Sequence, residues 1–68
     1  MNVREFVKKY KIDVKNCCVE YEDGSSPAGF IYETDAEYRR LFDRYYGDME
    51  VIDAYVDEDY GYDILIVK

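Results

Sequence analysis

Two helix-start signatures, 32 residues apart, constrain this chain more than any other feature: Asn2 with Glu5, and Thr34 with Glu37. In each, a cap residue is followed three places later by a glutamate able to reach back to the cap's amide. After the first, Val3, Phe6, Val7 and Tyr10 fall at i, i+3, i+4 and i+7, one stripe of a helix over about residues 3–11. Lys8, Lys9 and Lys11 lie where the helix dipole is negative. After the second, Tyr38, Leu41, Phe42 and Tyr45 repeat that spacing until Gly47, which predicts a helix over 35–46.

Between and after the helices the period changes to two. Cys17, Val19 and Tyr21 alternate with Cys18, Glu20 and Glu22, as in a half-buried strand, and Ile12 and Val14 alternate in a short connector that should tuck under the fold. Residues 23–29 hold two of the four glycines and the single proline, a loop from which Phe30-Ile31-Tyr32-Glu33 should leave as a strand. Residues 49–56 alternate again, and Asp57-Glu58-Asp59-Tyr60-Gly61 turns the chain into a last strand over 62–67. The order αββαββ, with hairpin connections, predicts one α+β domain over residues 1–68: two layers, a four-stranded antiparallel sheet and both helices on one face. With Ile52, Ala54, Val56, Ile64 and Ile66 toward the helices, Val51, Tyr55, Leu65 and Val67 would share the open face with Asp53 and Asp63. Such an apolar patch predicts weak homodimer formation through that face or an edge strand.

With 49% hydrophobic and 18% aromatic residues, the chain is too apolar for intrinsic disorder despite a net charge of −7. No apolar run approaches the roughly 18 residues of a membrane span, and the first ten residues are charged, so a cytoplasmic protein is expected. Charge is segregated. Residues 1–15 carry net +3, residues 16–38 six acids and no base, and residues 45–68 seven acids and one base. The field of such a molecule repels nucleic acid and anionic membrane and attracts basic protein surfaces.

The inventory is poor in catalytic groups. There is no histidine, which removes the commonest general base and most zinc sites. Cys17 and Cys18 are neighbours on a strand, so their side chains leave opposite faces and cannot jointly chelate a metal. Asp57-Glu58-Asp59 with Asp63 could offer oxygens to a divalent cation, but Gly61 and Lys68 fall out of register with a calcium loop, so a solvated acidic turn is expected. No cofactor, no metal and no enzymatic activity follow from these residues.

Nine tyrosines exceed what so small a core can hide. Tyr10, Tyr38 and Tyr45 belong to helix stripes and are expected in the core, whereas Tyr46, Tyr55, Tyr60 and Tyr62 fall at or near the acidic hairpin, the last three interleaved with Asp53, Asp57, Glu58, Asp59 and Asp63. These eight hairpin residues form the candidate partner-binding site: tyrosines as rigid anchors, carboxylates matched to a basic groove. A nucleic-acid reader would need the opposite sign of charge between its aromatics.

The run Tyr55-Val56-Asp57-Glu58-Asp59-Tyr60, in a single small acidic domain, resembles the inhibitor proteins of bacteriophages and mobile elements, of the anti-CRISPR and anti-restriction type. The resemblance implies a protein in the host cytoplasm that blocks the nucleic-acid or substrate surface of a defence enzyme such as a CRISPR effector. Independently of it, carboxylates at i and i+2 of a strand, about 6.7 Å apart, can replace phosphates against lysine and arginine, as in a DNA mimic. A self-assembling structural or regulatory domain without enzymatic activity is the alternative.

Overall fold

The computed structural model describes residues 1–68. Helix α1 spans Val3–Tyr10 and opens with the reciprocal bonds its sequence predicts: the Glu5 amide donates to Asn2 Oδ1 (2.9 Å), and the Asn2 amide donates to Glu5 Oε1 (3.0 Å). It ends at Lys11, which takes the left-handed conformation at φ 53°. A 3-10 turn, Val14–Asn16, capped by Asp13, buries Val14 and leads into β1, Cys17–Tyr21. After a long loop come α2 (Asp35–Tyr46), β2 (Val51–Asp57) and β3 (Tyr62–Val67).

The α+β class holds, but the four-stranded antiparallel sheet does not. The sheet has three strands in the order β1-β3-β2, with β3 parallel to β1 and antiparallel to β2. Ile64-Leu65-Ile66-Val67 is an unbroken apolar run, which suits a strand covered on both faces, and β3 accordingly sits in the middle. The strands bearing Glu20, Asp53 and Asp57 take the edges, where charge is tolerated and discourages further pairing. β3 lies between its two predecessors and runs parallel to β1. Only the β2–β3 hairpin keeps the predicted antiparallel sense.

Phe30–Glu33 forms no strand. Its first ring packs instead among Tyr38, Tyr45 and Tyr46, with ring centroids 5.4, 5.5 and 5.7 Å away, and Tyr46 Oη donates to the Ala28 carbonyl at 3.0 Å. At the end of β1 the Tyr21 amide donates to the Ser25 carbonyl (2.7 Å), so a tight turn takes up a donor that a fourth strand would need. Burying aromatic area on α2 replaces the ladder as the means of holding this loop.

Both helices lie on one face of the sheet. A single core joins Val3 of α1 and Phe42 of α2 to Cys17, Val19, Leu65 and Val67, with Val14 at its border. On α2 the inward row is Tyr38, Phe42 and Tyr46; the expected members Leu41 and Tyr45 fall outside it, Tyr45 being about half exposed, as is Tyr10 on α1. Gly47 ends α2 beneath the Arg4 side chain, whose Nε and Nη1 bond Asp43 (2.6 Å) and Asp48 (2.7 Å) and so tie α1 to the end of α2.

Candidate functional site

The face of the sheet away from the helices is open, and the strand register says which side chains share it. Cys18, Ile64 and Tyr55 lie side by side across β1, β3 and β2; Glu20, Ile66 and Asp53 form the next row, and Tyr62 pairs with Asp57. This reverses the expected assignment. Leu65 and Val67 are fully buried under the helices and Val51 packs against the same core, whereas Ile64 and Ile66 belong to the open side. Ala54 and Val56 remain on the helix side, paired with Leu65 and Asp63.

Two local features defeat the alternation. The register slips between Val51 and Asp53, a bulge that gives β2 two residues against one of β3 and changes which parity points inward. In β3 the continuous apolar run is compatible with either phase. Of the expected patch, therefore, only Tyr55 is on the open face, and the homodimer surface built on Val51, Leu65 and Val67 does not exist.

The eight candidate residues separate into three places. Asp53, Tyr55, Asp57 and Tyr62 border the open face, with Tyr55 52% and Tyr62 40% exposed. Glu58, Asp59 and Tyr60 form the hairpin tip, where Tyr60 is 77% exposed. Asp63 is on the opposite side, half-buried, lining a groove with Phe6, Tyr10 and Ile12 of the helix layer. Of the other seven, only Tyr55 lines that groove with it.

Two of these carboxylates also shape the backbone that carries them. Asp57 Oδ1 accepts from the amides of Asp59 (3.0 Å) and Tyr60 (3.4 Å), its carbonyl accepts from Gly61 (2.7 Å), and Gly61 at φ 73° supplies the left-handed residue that closes the turn. Asp53 Oδ1 accepts from the Ala54 amide at 2.8 Å, next to the bulge. Glu58 and Asp59 have no ion-pair partner, and neither have Asp53 and Asp57. Along β2 the open-face carboxylates stand four residues apart with Tyr55 between them, about 13 Å by strand geometry, so the phosphate-like i, i+2 row is not formed there.

Sequence reasoning missed Ile52, Ile64 and Ile66 as members of this face. The signal was the unbroken apolar run of β3, which marks a strand with side chains to cover on both sides. Cys18 is also on this face and exposed, while Cys17 is buried on the other. Burial, helped by Asp63, pushes the Cys17 thiol up to about 12; burial and the charges of Glu20 and Asp57 raise that of Cys18. Both are held toward the less nucleophilic neutral thiol, and only Cys18 is open to a reagent from solvent.

A second concavity, about 240 Å³ between the helices, has an apolar floor of Val3, Val7, Val14 and Phe42. Its polar rim is already paired: Arg4 with Asp43 and Asp48, and Arg39 with Asp13 at 3.5 Å. The open face differs in that none of its carboxylates makes an ion pair. No helix is long and apolar enough to cross a membrane. The chain matches no known family, no curated protein and no solved structure in comparisons of sequence and fold.

Proposed function

We propose that the protein is a non-enzymatic acidic binding module whose partner is a basic protein of the kind that handles nucleic acid, and that it acts as an inhibitor by occupying that partner's basic surface. The observation carrying this reading is the segregation of charge: from Val51 to Val67 there is no lysine or arginine, and the five carboxylates of that stretch make no ion pair within the chain. Exposed tyrosines among unpaired acids supply contact area and steering together. Inhibition of a CRISPR effector or a restriction enzyme would be one instance, and it rests on the resemblance alone.

The test uses Glu58→Lys with Asp59→Lys, which changes charge at the hairpin tip without touching the Asp57 staple. Capture from the native host at low and high salt, followed by mass spectrometry and an activity assay of the captured protein, should return a basic partner at low salt. The double variant should lose it. Capture of no basic protein, or equal capture by the variant, overturns the reading.

A further inference from the structure

The open sheet face presents an apolar strip, not only charge. Along the central strand Ile64 is already covered, at 5% exposure, so the apolar surface on offer is that of half-buried Ile66 with Tyr55, Tyr62 and Ile52, each between 40 and 52% exposed. The carboxylates bordering it are Glu20, Glu22, Asp53 and Asp57, and the one base beside it is Lys68, which lines the same hollow as Glu22, Ile52, Asp53 and Ile66. Resting on the functional reading above, we propose that this face receives an amphipathic helix of the partner, its apolar stripe on Ile66, Ile52 and Tyr55 and its lysines or arginines against the bordering carboxylates.

Size and charge both select this occupant. Three strands spaced about 4.8 Å apart make a face about 10 Å wide, the diameter of one helix. Its length of about 20 Å matches about 14 helical residues at 1.5 Å each. A second copy is disfavoured because two such faces would oppose carboxylate to carboxylate. The chain's own short basic helix, α1, has its apolar stripe committed to the core through Val3, Phe6 and Val7.

Three peptides of about 14 residues, built from the same leucines and lysines, test the inference on the full-length protein. One has leucines at helical spacing, one alternates leucine and lysine, and one is scrambled; binding is measured by calorimetry and by protection of Cys18 from alkylation. The helical peptide should bind at least about tenfold more tightly than either other, protect Cys18, and lose at least about fivefold with Tyr55→Ala once circular dichroism shows that variant folded. Equal binding by all three, tighter binding by the alternating peptide, or an unprotected Cys18 overturns the helix-on-face inference and leaves the acidic binding module standing. Binding by none at low salt overturns both.

Discussion

Gly47 lies in ordinary helical backbone, φ −56°, so conformational freedom is not why glycine is there. A β-carbon at this position would stand 2.6 Å from Arg4 Nη2 and 3.0 Å from Arg4 Cζ, and would overlap the Asp43 carbonyl oxygen. Helix propensity alone gives Gly47→Ala a gain of roughly 0.5–1 kcal/mol. The overlap with the Asp43 carbonyl, which is backbone and cannot swing aside as the exposed guanidinium can, predicts the opposite sign, a loss of about 1–3 kcal/mol, and urea denaturation decides between them. Cys17 makes a second residue-level prediction. Its folded-state value of about 12 stands above the ordinary 9.0, so neutral thiol is favoured by folding. This stabilisation is fully present below pH 9 and is lost as pH rises from about 9 to 12, by up to about 1.4 kcal/mol per pH unit. Urea midpoints measured over that range should fall more steeply for the natural chain than for Cys17→Val, which has no thiol to ionise. Superimposable profiles would exclude the thiol as the cause.

At the level of elements, what is local in sequence was legible and what depends on pairing was not. Both helices begin where their cap residues predict, although Glu37 turns its carboxylate to the amide of Glu33 instead of that of the Thr34 cap (3.2 Å). Strand partners are decided by competition for burial across the whole molecule, and the most apolar strand won the centre. The aromatic-rich segment 30–33 had strand composition, yet its rings pack on α2 and its backbone joins no strand. The stripe of α2 shows the same limit, since spacing alone admits both Leu41 and Phe42 while packing against Val3 and Leu65 admits only Phe42. Phe42→Ala should therefore cost about 3–5 kcal/mol, enough to unfold so small a domain. Leu41→Ala should cost about 1 kcal/mol or less, because its side chain is half-buried outside the core. Thermal melts of the two variants separate these outcomes, and equal destabilisation would contradict this packing.

For the whole molecule, the charge map was readable from the chain before any fold was known, because sign follows segment: strands and hairpin acidic, α1 basic. Which face shows apolar groups was not readable, since one bulged residue in β2 and the phase of β3 decide it. Four of the eight candidate residues border one surface, three project at its end, and Asp63 is lost to the far side. The corrected face changes the expectation for self-association. Two copies pairing through Ile66, Ile52 and Tyr55 would bury apolar area while bringing Glu20, Asp53 and Asp57 against their own kind. Like-charge repulsion between exposed groups is screened over about 10 Å at 0.1 M salt and about 3 Å at 1 M. Any dimer should therefore be weak and should tighten as salt rises, the reverse of binding to a basic partner, which salt weakens. Sedimentation equilibrium at high micromolar protein should give the 8.1 kDa monomer at low salt and a higher average mass only near 1 M. A dimer that is strongest at low salt would mean that the basic α1 of one copy meets the acidic sheet of another, and the open face would then not be the surface through which copies meet.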